Sequence, residues 1–258
     1  MGLFEKKYCD ICGEKIGVFG TRKLEDGKMC SKCAAKLSPW FEERRHSTLD
    51  DIKRQLEYRE ENKEAVSNFH TTRTMGRYTK VLLDEDAQKF MVAKTKKIQE
   101  ENPDVVDFSQ VTGCDLDVRE SSSEITRQVG KEWKSYNPPR YEYSYDFMFT
   151  IHVNHPYFDD MQFKLNDFSV QTGEYRPGTM VSLGAGGFQA GIMGGNPDYN
   201  EYVALGNEIR EALMSARQEI RNENAERNKP KKAVRCPYCG ATTVPNEKGC
   251  CEYCGGAI

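Results

Sequence analysis

The sequence predicts an α+β protein with a small cysteine-rich module near each end of the chain. Three patterns support this: paired cysteines near both ends, alternating apolar residues at 141–153, and a later segment with apolar residues at helical spacing. The 258 residues allow one large domain or two to three small ones. We therefore expect an antiparallel β barrel or sheet, closed by a long amphipathic helix, between the two modules.

Composition and pattern changes divide the chain into five segments. We predict an N-terminal module at 1–45, a charged linker helix at 46–74, the β domain with its C-terminal helix at 75–226, a linker at 227–235 and a last module at 236–258.

The first module contains the pattern C-x2-C-x17-C-x2-C, formed by Cys9, Cys12, Cys30 and Cys33. This spacing is typical of a four-cysteine zinc site, because two intervening residues let both thiolates of a pair face one ion. Asp26-Gly27 predicts a hairpin turn between the pairs. Four thiolates fill a tetrahedral shell, so we expect structural zinc. Trp40 and Phe41 are expected to cover the core of this module.

The last module has five cysteines, of which four form the pattern C-x2-C-x11-C-x2-C. The tetrapeptides of "CPYCG" and "CEYCG" are near copies, so we predict Cys236, Cys239, Cys251 and Cys254 as ligands and Cys250 as a spare thiol. A segment this short cannot bury enough apolar surface to fold alone, so we expect zinc to stabilise it. The two knuckles resemble those of rubredoxins, which makes iron a minor alternative at this site.

The segment after the first module predicts a helix with Ser47 or Thr48 as its cap. Leu49, Ile52 and Leu56 form only a thin apolar stripe, and the other positions are densely charged. We predict a solvated linker helix, with a partner-facing helix as the alternative.

The β domain begins with two predicted strands in "YTKVLLDEDAQKFMVAK", where a helix starting near Asp86 is an alternative. A second strand pair is predicted to turn near Gly113. The clearest strand is 141–153, and Pro138-Pro139 is expected to form a loop before it.

Two further segments follow the predicted strands. Residues 177–197 contain no charge and seven glycines, which predicts either a flexible segment or a partner-binding loop anchored by Phe188, Ile192 and Met193. Apolar residues then recur at helical spacing, at Tyr202, Leu205, Ile209, Leu213, Ala216 and Ile220.

Two resemblances extend these expectations. "KKYCDICGEKIG" and "RKLEDGKMCSKCAAKLSP" resemble a bacterial zinc-finger domain of uncharacterised function, with a treble-clef-like order of knuckle, hairpin and helix. The strands and helix of residues 75–226 resemble the pleckstrin-homology-like architecture, in which a helix plugs one end of a bent β barrel. The resemblances imply an arrangement of domains and no settled activity.

Motifs for catalysis are not found in the sequence. The glycine-rich segment lacks the Gly-Lys-Ser/Thr of a phosphate loop and the third glycine of a dinucleotide fingerprint. His152 and His155 are three residues apart on one predicted strand, so we expect them to point to opposite faces rather than to share a metal. We predict that the protein is not an enzyme.

The predicted function is that of a zinc-binding adaptor for an unidentified protein partner. Nucleic-acid binding through the zinc modules is the first alternative, although the net charge of −3 disfavours it. Lipid-headgroup binding by the β domain is the second. No apolar run approaches the ~20 residues that span a bilayer. Ten cysteines without an export signal predict a cytoplasmic location.

Overall fold

A computed structural model describes residues 7–17, 19–175, 197–227, 233–246 and 248–258. The chain divides into two compact units, Met1–Arg217 and Gln218–Ile258. The described elements form a mixed α+β structure in which antiparallel sheets pack against a long C-terminal helix, as predicted.

The first unit begins with the predicted hairpin and a short helix. Strands β1 (Thr21–Lys23) and β2 (Lys28–Cys30) are antiparallel, and α1 (Ser31–Ala34) follows directly. Their small core contains buried Ile16, Leu24, Met29 and Leu37, and Phe41 packs against it. Trp40 is not part of this core, and its ring instead faces Phe163, with 6.4 Å between ring centroids, so the expectation that it covers the module holds for Phe41 only.

Helix α2 (Leu49–Asn68) differs from the solvated helix that the sequence predicted. Ile52, Gln55, Arg59, Asn62 and Val66 are all buried, at the spacing of one helix face. Three of these five side chains are polar. A search of the sequence for an apolar stripe therefore could not show that the helix is buried along this face. Tertiary hydrogen bonds satisfy Arg59 and Asn62, whereas the side-chain amide of Gln55 has no hydrogen-bond partner among the described residues.

The N-terminus of α2 carries a capping box. The Thr48 hydroxyl accepts from the backbone N–H of Asp51 at 3.2 Å, and the Asp51 carboxylate accepts from the backbone N–H of Thr48 at 3.0 Å. Of the two predicted candidates, Thr48 is therefore the helix cap and Ser47 is not. Two of the donors that a helix start leaves unpaired are satisfied in this way.

We expect Thr48→Ala to destabilise the first unit by about 1 kcal/mol, the usual cost of losing a cap hydroxyl. Thr48→Ser retains the hydroxyl and serves as the matched control, with a change of a few tenths of a kcal/mol. Urea unfolding followed by circular dichroism measures both. Equal destabilisation by the two variants would show that the methyl group, not the cap, is what matters.

The first sheet contains β3 (Arg73–Met75), β4 (Lys80–Asp84), β5 (Lys89–Ala93) and β6 (Val106–Asp107), in the order β3-β4-β5-β6. The strand prediction for this region is confirmed, and the helix near Asp86 is wrong. Four consecutive residues at 81–84 and again at 90–93 are buried, which is typical of strands covered on both faces. The short helix α3 (Ile98–Glu101) lies between β5 and β6.

The second sheet is built on two long strands, β7 (Val111–Val129) and β8 (Glu132–His155). The predicted turn near Gly113 is wrong, because Gly113 pairs with His152 beside a register shift within β7. The predicted loop at Pro138-Pro139 is also wrong. These prolines lie within β8, at the second register shift, where β7 makes no ladder bond to them.

Two shorter strands complete this sheet on the same side of β8. Strand β9 (Phe158–Lys164) pairs with the second half of β8, and β10 (Val170–Tyr175) pairs with residues 141–145 near its middle. The sheet is therefore at most three strands wide at any level, which is too narrow to close on itself. Among the described strands neither sheet forms a closed barrel. Of the two predicted alternatives, an antiparallel sheet is therefore observed and a barrel is not.

The long helix α4 (Pro197–Arg227) is confirmed as an amphipathic helix packed on this sheet. Ile209 and Leu213 are fully buried. The rings of Tyr199 and Phe147 meet edge to face, with 5.1 Å between centroids. A side chain at Gly206 would approach Leu116 to 2.8 Å, so glycine permits this close contact between helix and strand.

The second unit contains the C-terminal cysteine module. Strands β11 (Val234–Arg235) and β12 (Thr242–Thr243) form a minimal antiparallel pair. The rest of the module consists of turns and an isolated bridge between Cys250 and Ala257. With so little regular structure, its fold depends on the cysteine knuckles.

Candidate metal sites

The first cluster brings together the four predicted cysteines of the N-terminal module, with their ligand atoms within 4.8 Å of one another. The Sγ atoms of Cys9 and Cys33 are 3.9 Å apart, and those of Cys12 and Cys30 are 3.8 Å apart. Tetrahedral zinc with Zn–S bonds of ~2.3 Å places its sulfurs roughly 3.8 Å apart. The arrangement therefore fits a zinc ion that all four sulfurs hold.

The second cluster has the same geometry. The Sγ atoms of Cys236 and Cys254 are 3.5 Å apart, and those of Cys239 and Cys251 are 3.6 Å apart. Cys250 lies outside the cluster, with its Sγ 3.6 Å from the carbonyl oxygen of Lys248. The four cysteines that the near-copied tetrapeptides selected are therefore the four that the structure brings together.

The backbone of each knuckle explains why these cysteines converge. Gly13, Gly240 and Gly255 each follow a Cys-x-x-Cys pair and have φ of 73°, 76° and 73°. Each donates its N–H to the carbonyl oxygen of the first cysteine of its pair, at 2.8–2.9 Å. Only glycine adopts this left-handed conformation without steric cost. The turn so formed directs both thiols of a pair to the same point.

In the first cluster, the surroundings favour the thiolate of Cys9 and oppose that of Cys33. Burial acts to raise the pKa of Cys9, but hydrogen bonds with the backbone of Cys12, Cys30 and Ile11 outweigh it and lower that pKa to about 7. Burial and the neighbouring thiols Cys30, Cys12 and Cys9 raise the pKa of Cys33. A bound cation would offset the unfavourable effect on deprotonation, because it stabilises the charged form of every thiolate that it contacts.

Comparison with protein families gives the N-terminal cluster a context. Residues 7–55 match DUF4428, a domain of unknown function. The match covers the first cysteine cluster and the start of α2, about a fifth of the chain. It agrees with the predicted resemblance to an uncharacterised zinc-finger domain. Searches of curated proteins and of solved structures found no significant match.

The DUF4428 segment is joined to the β domain by a buried polar network that the sequence did not reveal. Arg59 of α2 pairs with Asp104 through Nη1 and Oδ1 at 2.6 Å, and these side chains are 7% and 0% exposed. Asp104 also accepts from the Ser38 hydroxyl at 2.8 Å and from the Tyr58 hydroxyl at 3.1 Å. The network thus links the zinc module, α2 and the segment before β6.

A second set of bonds continues the network along α2. The side-chain amide of Asn62 donates to the Asn102 side chain and to the Pro103 carbonyl, both at 2.8 Å, and its oxygen accepts from the N–H of Val105 at 3.0 Å. Asn102 has a φ of 49°, a left-handed conformation that asparagine tolerates. The signal in the sequence was the polar spacing of residues 55, 59 and 62 within a helical pattern.

The two histidines of β8 have different surroundings, as their spacing predicted. His152 lies between Asp115, at 2.9 Å from Nε2, and Asp160, at 2.6 Å from Nδ1. These hydrogen bonds raise the pKa of His152, with Asp115 as the larger cause. His155 stacks on Phe158 with 4.0 Å between ring centroids, and burial lowers its pKa.

We expect His152 to stabilise the first unit more at pH 6 than at pH 8.5. Its pKa is raised on folding, so its contribution is complete below the unfolded value of ~6.5 and is lost as the pH rises through the folded value. The Tm difference between the wild type and His152→Gln should shrink over this range. His155 is present in both proteins, so its opposite effect cancels. A Tm difference that is constant with pH would contradict the expectation.

Features outside the metal clusters include a predicted loop and a lone cysteine. Phe188, Ile192 and Met193 lie outside the described residues, so the predicted partner-binding loop stays a prediction. Cys114 is buried and its pKa is raised to about 12, chiefly by burial, which is typical of a structural thiol. Among the described residues, no helix combines the length and the apolar character needed to cross a membrane.

Proposed function

We propose that this chain is a non-enzymatic adaptor that binds a protein partner and uses two zinc ions as structural elements. The observation that carries the proposal is the geometry of the clusters, each of which offers four sulfurs to one ion. A zinc ion held by four thiolates has no open position for a substrate or an activated water. In this proposal the rest of the protein surface carries the function, by binding the partner.

The position of the first cluster supports a structural role for its metal. Cys9, Cys30 and Cys33 are themselves members of the small core that includes Met29 and Ile52. A metal at this cluster would hold the knuckle, the β1–β2 hairpin and α1 against α2. Binding free energy at such a site is folding free energy.

Elemental analysis tests the metal part of this proposal. Protein produced without added metal should contain two zinc ions per chain, one for each cluster. Iron in the C-terminal site would give a visible absorbance that zinc lacks, and would support the alternative metal there. Fewer than two metal ions per chain would contradict the proposal.

Native co-purification tests the adaptor part. The chain, tagged and expressed in its own cells at native level, should elute from size exclusion with a stoichiometric partner, in the cytoplasmic fraction. Elution as the chain alone would count against the adaptor. Retention of nucleic acid that is released by raising the salt would favour the nucleic-acid alternative, because counterion release makes such binding salt-sensitive.

Lipid-headgroup binding is the second candidate, and the turn of the β7–β8 hairpin favours it. Residues 125–140 carry four cations and one acid, in a chain with a net charge of −3. Trp133, three residues after the turn glycine Gly130, is 69% exposed. Tryptophan beside lysine and arginine is the composition of a surface that enters the interface of an anionic membrane.

Fluorescence distinguishes this candidate, because the chain has only two tryptophans and Trp40 is buried. Binding to phosphatidylserine vesicles should shift the Trp133 emission to the blue, and phosphatidylcholine vesicles should not. Trp133→Ala should abolish the shift, and Phe168→Ala, which removes another exposed aromatic, should not. No shift with either vesicle would exclude headgroup binding by this hairpin.

A further inference from the structure

A cleft of about 900 Å³ lies between the DUF4428 segment and the corner that connects β8 to β9. Residues 39–43 and the first turns of α2 form one wall, and residues 155–160 form the other. The two clusters of cysteines take no part in its lining. Clefts of this size, formed where two parts of a fold meet, are common ligand sites.

The walls of this cleft are rich in aromatic rings. Trp40, Phe41, Tyr157 and Phe158 all line it. The ammonium of Lys94, another lining residue, already lies over the Trp40 ring, 5.4 Å from its centroid. This contact shows that the aromatic wall accepts a cation, since the face of an indole ring is the negative end of its quadrupole.

The Trp40 side chain also carries an unsatisfied polar group. Its side chain is buried, with only 7% of the residue exposed, and its indole N–H has no hydrogen-bond partner among the described residues. A buried donor without an acceptor costs free energy. This N–H is enclosed within the wall, so a ligand in the cleft would contact the Trp40 ring rather than the N–H.

The charges of the lining are unbalanced. Five carboxylates line the cleft, against the cations of Arg54 and Lys94. Asp51 pairs with Arg54, and Asp160 pairs with His152. Within the described residues the carboxylates of Glu42, Glu43 and Asp159 have no hydrogen-bond or ion-pair partner. The cleft thus offers three uncompensated negative charges beside aromatic walls.

We propose that this cleft binds a lysine- or arginine-bearing segment of the protein partner. Cation–π contact and unpaired carboxylates together favour a cationic side chain over an anionic or neutral one. A segment bound there would place its cations near Glu42, Glu43 and Asp159. The inference rests on the proposed adaptor function and assigns the chemistry of its partner.

The test uses two labelled peptides, an alternating lysine–alanine octapeptide and its glutamate–alanine counterpart, titrated into the full chain by fluorescence anisotropy. The lysine peptide should bind, and the glutamate peptide should not. Glu42→Gln/Glu43→Gln/Asp159→Asn should weaken binding at least 10-fold. Glu64→Gln/Glu85→Gln/Glu211→Gln changes the net charge equally, at exposed positions away from the cleft lining, and should weaken it less than 2-fold.

A second measurement places the peptide in the cleft. In Trp133→Phe protein the only tryptophan is Trp40, so the lysine peptide should change its emission. The inference is overturned if the lysine peptide does not bind, if both triple variants weaken binding equally, or if binding leaves the Trp40 emission unchanged. Co-purification of a partner and two zinc ions per chain would still support the proposed function in any of these cases, so the two failures are distinguishable.

Discussion

Replacement of Cys251 by serine is expected to unfold the C-terminal module. Cys251 is buried and is one of the four sulfurs of the second cluster. Structural zinc supplies roughly 10–16 kcal/mol to modules of this kind, and three thiolates hold the ion much less tightly than four. In the described part of the module, the strands that could support it without the metal are two residues long. The change therefore removes the main source of its stability.

The adjacent residue supplies the matched control. Cys250→Ser changes the same chemical group one residue away, but Cys250 lies outside the cluster. Zinc content after dialysis against a moderate chelator should fall from two ions to one for Cys251→Ser and stay at two for Cys250→Ser. NMR signals of the module should lose their dispersion only in the first variant. The reverse pattern would mean that Cys250, not Cys251, is the ligand.

Removal of the Asp104 carboxylate is expected to have the largest effect on the first unit. Asp104→Ala leaves the Arg59 guanidinium buried beside no carboxylate, and it takes an acceptor from Ser38 and Tyr58. Breaking a buried pair from one side costs about 3–5 kcal/mol. For a unit of this size we expect Tm to fall by roughly 6–20 °C.

An exposed ion pair on the same helix gives the comparison. Lys63 and Glu60 pair at 2.5 Å, but both side chains are more than half exposed, and Glu60→Ala should cost no more than about 0.5 kcal/mol. Arg59→Met should reduce the cost of Asp104→Ala, because the charge left unpaired is then absent. Equal Tm changes for Asp104→Ala and Glu60→Ala would refute the structural role assigned to the network.

The cysteine sites could be predicted because their information is local. Two residues between cysteines and a glycine after the pair specify a knuckle turn, and the copied tetrapeptides separate Cys251 from Cys250. Strands β4 and β5 were also predictable, because each contains a short continuous apolar run. Helix α4 was predictable because its apolar residues recur at the helical period of 3.6.

The sequence predictions were wrong where contacts between residues distant in the chain outweighed the local structural preference. Glycine and proline normally indicate turns, but strands β7 and β8 continue past Gly113 and Pro138, with a shift of register at each place. The charged composition of α2 indicated exposure to solvent, yet Arg59 and Asn62 are buried because Asp104 and Asn102 satisfy them from positions 45 and 40 residues later in the chain.

The amino-acid sequence by itself determined the two cysteine clusters, the amphipathic helix α4 and the alternation of the central strand, since each depends on residues close together in the chain. Only the tertiary structure decided the burial of α2, the narrow open sheet and the acidic aromatic cleft. Their contacts join segments that are far apart in sequence, and a buried charge is stable only where its partner has been brought to it.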